Sequence, residues 1–209
     1  YTYMLRTNER KALLNSILYI VKIVESKDIY TAGHSVRVAE YSEKIARKLK
    51  MNEYDIEILK NIANLHDIGK IQVDLSILNK TERLSDEDWA EIKKHPIAGY
   101  EIVKEITFLK ENAKAVLYHH ERFDGNGYPF GIRNEEMPLF AKIITVADSY
   151  DAMTTDRPYR KALNIYQALD ELNNNMDKQF DRPVCLKMIE ILNEEISSSQ
   201  SLEPVCEPA

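Results

Sequence analysis

Five histidines and two aspartates, His34, His66, Asp67, His95, His119, His120 and Asp148, carry the chemistry open to this chain, and they include every histidine in its 209 residues. Imidazole and carboxylate are ligand types that hold divalent cations and leave positions open to water and substrate oxygen. Neutral imidazoles hold each ion. A carboxylate with two oxygens, here Asp67 in the adjacent pair His66-Asp67, suits a bridge between two ions. Such a centre serves hydrolysis, because a divalent cation brings the pKa of water towards neutrality and neutralises phosphoryl oxygens. The cysteines take no part: Cys185 and Cys206 lie late in the chain, without metal-type spacing.

Two runs extend the pattern. His66-Asp67-Ile68-Gly69-Lys70 is an HD signature, and residues 119–129 read HHERFDGNGYP, which has the form HHExxDGxGYP. On these residues the chain resembles the HD-GYP phosphodiesterases, bacterial enzymes that hydrolyse cyclic dinucleotides. The resemblance implies that His34, His66 and Asp148 complete the ligands of one metal and that His95, His119 and His120 hold the other, with Asp67 between them. It further implies that Lys70 faces phosphate and stabilises the oxyanion or the leaving 3′ oxygen, and that Tyr128 contacts substrate. Asp151, Arg157 and Arg160, in the stretch DSYDAMTTDRPYR, correspond to family positions that reach guanine and phosphate. Arginine suits both, with a planar face for stacking and a fork for phosphate. Glu121 and Asp124 read as carboxylates that brace the loop or take a histidine's second ring nitrogen. Plainer roles stand beside these: Lys70 as a solvated lysine at a helix end, Tyr128 as a packing aromatic.

The activity the resemblance implies is metal-dependent cleavage of the 3′–5′ phosphodiester of cyclic di-GMP to pGpG, with onward cleavage to GMP left open. Two alternatives remain. One keeps the site and changes the substrate to the hybrid cyclic GMP-AMP or another nucleotide. The other is a non-hydrolytic sensor or adaptor whose GYP loop docks a diguanylate cyclase domain, although a pure binding module has no chemical need for seven metal ligands. Histidine and carboxylate ligands in this number suit six-coordinate Fe or Mn better than tetrahedral Zn. Some family members hold a third metal with a glutamate four residues before the position of His34; here Tyr30 stands there, a poor ligand beside a carboxylate.

The elements that must present these groups read as helices. Leu13, Leu14, Ile17, Leu18, Val21 and Val24 recur at helical spacing, and Thr31 and Gly33 end that pattern. A second helix is expected from about His34 to Leu49. A third is expected from an Asn52 N-cap through His66, ending at Gly69. Ser85 with Asp88 makes a capping-box start, Pro96 suits a first helical position, and a helix from about Leu109 delivers His119 and His120. Phe123 to Glu136 reads as loop, followed by an apolar helix from Pro138 with Asp148 near its middle. Further helices are expected near Ile165–Asn174 and Pro183–Glu194. The expected fold is all-α: an HD-domain helical bundle with additional C-terminal helices and a GYP loop. Residues 1–8 read as a linker or the end of an upstream element, 9–196 as the HD-GYP domain and 197–209 as a flexible tail.

A net charge of −6 without a basic block argues against duplex nucleic acid as a partner. Two divalent cations would supply the positive charge that a phosphate-bearing substrate needs. No stretch approaches the roughly 20 apolar residues of a membrane span, and no signal peptide pattern is present. The cysteine usage suits a reduced cytosol, so a cytoplasmic location is expected. Because the chain opens on Tyr1 rather than Met, an upstream regulatory domain is a further expectation.

The tyrosine at position 30 sets a prediction about nuclearity. Elemental analysis or anomalous scattering should find two metals per chain, and three would contradict it. Tyr30→Glu should make a third site available where neighbouring groups leave room.

Overall fold

The computed structural model describes residues 2–27, 33–156 and 161–200, and the regular elements among them are all helical, with no strand among these residues. The order is α1 (Thr2–Lys27), α2 (His34–Lys48), α3 (Glu53–Asn64), a 3₁₀ turn (Ile68–Gln72), α4 (Leu75–Leu78), α5 (Asp86–Ile92) and α6 (His95–Val103). A second 3₁₀ turn (Lys110–Asn112) leads into α7 (Lys114–Tyr118), and a third (Asn134–Glu136) precedes α8 (Leu139–Thr154), α9 (Ile165–Asn174) and α10 (Arg182–Gln200).

Local chemistry sets the helix starts. The Asn52 side chain accepts from Asp55 N, and Ser85 and Asp88 close the expected capping box. Asn164 and Gln167 form a second box, unremarked in the sequence. Gly33 precedes α2 at φ 71, a left-handed backbone that favours glycine.

Helix α8 lies at the centre. Phe140, Ala141, Ile143, Ile144, Val146 and Ala147 are all buried, so most of its circumference is covered by neighbours. Helices α2, α7, α9 and α10 pack against it. Val38 and Ile45 of α2, Leu59 and Ile62 of α3, and Met188 and Leu192 of α10 complete one continuous core. Each such aliphatic side chain contributes about 1.5–3 kcal/mol by leaving water. A helix gripped on several sides is a rigid carrier for the two aspartates near its C-terminal end, Asp148 and Asp151.

Three expectations need correction. Residues 2–8, expected to lack helix, belong to α1, which runs unbroken from Thr2. The third helix stops at Asn64, so His66 and Asp67 sit in the turn between α3 and the 3₁₀ segment and not on a regular helix. Helix α10 continues to Gln200, past the expected end near Glu194.

The turn carrying the HD pair is pressed against α6. A Cβ at Gly69 would stand 2.0 Å from the His95 carbonyl oxygen and 2.5 Å from Gly99 N, contacts no real side chain tolerates. Gly69→Ala should therefore separate the 3₁₀ turn from α6 and destabilise the protein by about 3 kcal/mol. Denaturant unfolding measures this; a loss below about 0.5 kcal/mol would mean that the two backbones yield easily.

Candidate metal centre

Three of the candidate ligand histidines use the same local device. His66 Nδ1 lies 2.7 Å from the Ala63 carbonyl oxygen, His95 Nδ1 2.7 Å from that of Ile92, and His119 Nδ1 2.6 Å from that of Val116. Each ring folds back three residues onto a carbonyl near a helix end, where acceptors are left over. A carbonyl cannot donate, so Nδ1 carries the proton, and in the neutral ring Nε2 is left as a lone-pair acceptor. His34 commits Nδ1 differently, to a carboxylate, 2.7 Å from Asp151 Oδ2.

The free Nε2 atoms converge on Asp67. Asp67 Oδ1 is 3.1 Å from His95 Nε2 and 3.8 Å from His119 Nε2, while Oδ2 is 3.4 Å from His66 Nε2 and 3.9 Å from His34 Nε2. Asp148 Oδ1 lies 3.3 Å from His34 Nε2. Candidate ligand atoms of Asp67, His95, His119 and His120 fall within 4.8 Å of one another, as do those of His34, His66 and Asp67. The carboxylate thus belongs to both groups, one on each oxygen's side.

This donor set fits divalent cations on its own geometry. His66 Nε2 and Asp67 Oδ1 are buried without a hydrogen-bond partner, a costly state for polar atoms. His95 Nε2 and His119 Nε2 face each other at 3.4 Å, and in the neutral rings whose Nδ1–H is committed to a carbonyl both are lone pairs. Facing lone pairs repel unless positive charge stands near them.

Electrostatics agree. Burial pushes the His119 imidazole well below its usual range, reinforced by His120, His66 and His95, and burial with His95 lowers His120 to about 3. Both rings are neutral, as ligands must be. Burial would raise the Asp67 carboxyl, but the charge of Lys70 beside it holds it well below the carboxylate range. Burial likewise opposes ionisation of Asp148, and the hydrogen bond and charge of His34 outweigh it. Burial lowers His34 too, yet Asp148 and Asp151 together raise it to about 9. That imidazolium proton lies where a cation would bind.

The GYP loop closes one side. A Cβ at Gly127 would fall 2.5 Å from Arg122 N and 2.6 Å from the His120 oxygen, so this glycine lets the loop fold onto the HHE backbone. Tyr128 N donates to the His120 carbonyl at 3.1 Å, and the Tyr128 ring stacks on His120 with centroids 4.7 Å apart. Burial raises the Tyr128 phenol, which stays a neutral donor. Glu121, fully buried, accepts from Phe130 N at 2.8 Å and Gly131 N at 3.1 Å. Asp124 pairs with Arg122 at 2.9 Å. Both carboxylates brace the loop, the first of the two roles expected for them. Lys70 Nζ stands 2.6 Å from Asp67 Oδ2, at the edge of the cluster.

The structure gathers His34, His66, Asp67, His95, His119, His120 and Asp148 in one place, with Lys70 and Tyr128 beside them. Asp151 is placed differently from the expectation that it meets substrate: only 2% exposed, it binds His34 and Arg37 and faces inward. Tyr30, Arg157, Arg160 and Cys206 lie outside the described residues. Sequence reasoning missed Arg37, and also Thr145, whose Oγ1 donates to the His119 carbonyl at 2.7 Å. Both stand three residues from an assigned ligand on a helix, a spacing that could have flagged them.

A family model described as HD domain matches residues 19–184. The chain is 41% identical over 164 residues to the 3'3'-cGAMP-specific phosphodiesterase 3 of Vibrio cholerae, covering 78% of this chain and 35% of that protein. It is 33% identical over 189 residues to the cyclic di-GMP phosphodiesterase response regulator RpfG of Xanthomonas campestris, covering 90% and 48%. The chain thus spans between a third and a half of the length of these curated relatives. Among solved structures it is similar to Bd1817, a HDG"Y"P protein from Bdellovibrio bacteriovorus, with a TM-score of 0.65 at 23% identity, covering 89% of this chain and 62% of that one. The V-cGAP3 cyclic GMP-AMP phosphodiesterase of V. cholerae gives 0.65 at 18% identity, covering 90% and 51%. At these identities the structural likeness shows the fold alone.

The shifted histidines predict how the chelator-stripped protein responds to pH. His119 and His120 are depressed, so their contribution is present above the unfolded value of about 6.5 and is lost as pH falls below it. His34 is raised to about 9, so its contribution is full below about 6.5 and is lost as pH climbs towards 9. The metal-free thermal midpoint should peak near pH 6.5 and fall on both sides. A midpoint still rising between pH 7 and 9 would contradict the pairing of His34 with two aspartates.

Proposed function

The chain belongs to the HD-domain family, and from that premise we propose that it is a metal-dependent phosphodiesterase cleaving the 3′–5′ phosphodiester of cyclic di-GMP to pGpG. The observation that carries this reading is the convergence of imidazole Nε2 atoms on the two oxygens of Asp67. A centre of that kind would hold two divalent cations, with Asp67 shared between them, His34, His66 and Asp148 as the residues for one, and His95, His119 and His120 as those for the other. Six-coordinate Fe or Mn matches the ligand number and type. When bound, the cations supply an activated water for in-line attack on phosphorus and neutralise the phosphoryl oxygens.

The chain's own groups do the rest. Lys70, held beside Asp67, donates to a phosphoryl oxygen or to the departing 3′ oxygen, where charge develops. Tyr128 offers a neutral hydroxyl and a ring face beside His120. Arg157 and Arg160 are assigned to guanine and phosphate. Cleavage of the hybrid cyclic GMP-AMP is the second reading, supported by the 41% identity to a relative named for that substrate.

Anaerobic purification, metal analysis and product chromatography on both cyclic dinucleotides test the proposal; a metal-loaded, folded protein inert towards both would overturn it. Lys70→Ala should lower kcat by about 10²-fold with metal content unchanged and KM little altered. A wild-type kcat would return Lys70 to the role of a solvated helix-end lysine.

A further inference from the structure

Arg37 stands one turn along α2 from His34, and its guanidinium grips Asp151 with both ends. Nε lies 2.5 Å from Oδ1 and Nη2 3.0 Å from Oδ2, with Thr155 Oγ1 3.4 Å from Nη2. The Oδ2 held in this way is the atom that accepts from His34 Nδ1 at 2.7 Å. A planar fork fixes a carboxylate in position and in rotation, and the carboxylate then fixes the tautomer and plane of the imidazole. Asp151 is 2% exposed, so without Arg37 a charged carboxylate would keep the His34 bond as its main compensation. Gly33 makes room, since a Cβ there would sit 3.3 Å from Arg37 Nη1.

A second buried carboxylate reaches the same turn from another element. Glu25, near the C-terminal end of α1, is 8% exposed, and its Oε1 accepts from Ser35 N at 2.8 Å. Ser35 follows His34 directly, so Glu25 fastens the first turn of α2 at its positive end. Its charge also helps to hold Arg37 protonated, after the larger effect of Asp151. Helix α1 packs on α3 and on the 3₁₀ turn that follows Asp67, burying Leu14 and Val21. One helix therefore touches the backbone beside His34 and the segment beside Asp67.

We propose that Arg37 and Glu25 are positioning residues for His34, and that through Glu25 the seating of α1 sets how tightly the His34 side of the centre holds its cation. The inference rests on the reading of this site as a two-metal centre. Neither side chain is assigned a contact with substrate; both act through the orientation of one ligand.

Manganese titration of the chelator-stripped full chain against a competing chelator tests it, with electron paramagnetic resonance to separate exchange-coupled ion pairs from isolated Mn²⁺. The wild type should take two ions and give a coupled signal. Arg37→Ala and Glu25→Ala should each weaken one of the two ions by about 10-fold or more and replace coupled signal with the isolated form. Glu25→Gln, which keeps an oxygen for Ser35 N, should restore most of the affinity, and Arg37→Lys should restore only part. Alanine variants that are folded by circular dichroism and match the wild type in affinity and spectrum would overturn the proposal. Weakening by Arg37→Ala alone would overturn the link to α1. If Arg37→Ala does not fold, Arg37→Lys decides, since wild-type affinity there would exclude a need for the bidentate grip. A wild type that takes up no manganese or iron would instead defeat the metal-centre reading itself.

Discussion

The centre depends on where the imidazole protons go. Each neutral histidine has one N–H and one lone pair, and a protein that commits Nδ1–H to an acceptor of its own directs the lone pair on Nε2 outward. His66, His95 and His119 commit theirs to carbonyls three residues earlier, and His34 commits its own to Asp151. The first three bonds are local, so the tautomer is fixed as soon as each helix end forms. What remains for the tertiary structure is to bring those ends to one carboxylate. The α3 terminus, the α5–α6 junction, the α7 terminus and the start of α2 bring their rings to Asp67, the later part of α8 brings Asp148 to His34, and helix packing performs that task.

Convergence of that kind requires backbones to come closer than side chains allow. Gly69 lets the turn after Asp67 sit against the His95 carbonyl, and Gly127 lets the GYP loop lie on the His120–Arg122 backbone. These two glycines serve ligand placement more than turn formation. Seating the loop brings Tyr128 over His120, and the buried Glu121 secures the loop by accepting from Phe130 and Gly131 backbone N–H groups. The HHExxDGxGYP run is therefore tied together largely by its own contacts, with Thr145 and the Lys178–Gln179 backbone holding it from outside.

Much of this was legible in the sequence. The clustered residues were readable because histidine is scarce in the chain and both short runs are dense in chemistry. Helix positions followed from apolar spacing and from caps such as Asn52 and Ser85. Residues 2–8 were misjudged because polar residues there mask a helix that α1 continues without an apolar stripe of its own. The stop at Asn64 was hidden because Leu65 and Ile68 are buried and extend the apolar pattern across a turn. Asp151 looked like a substrate group since its partners, Arg37 and His34, lie more than a hundred residues away in sequence, beyond the reach of any local pattern. The carbonyl acceptors carry no side-chain signal at all.

Charge connects this local geometry to the stability of the whole. Asp67, Asp148 and Asp151 are held ionised in or near the interior, while Lys70, Arg37 and the raised His34 are the positive groups found in contact with them. His119 and His120 remain neutral and add no charge of their own. A cation introduced between these groups would meet carboxylates already ionised and the rings of His66, His95 and His119 already oriented, while displacing the His34 proton and the Lys70 contact with Asp67. It also satisfies His66 Nε2 and Asp67 Oδ1, which otherwise lack hydrogen-bond partners. Binding free energy at such a site is folding free energy, since the unfolded chain has no such convergence. The arrangement that would make the centre chemically useful is thus the one that leaves His66 Nε2 and Asp67 Oδ1 buried without partners in the metal-free chain.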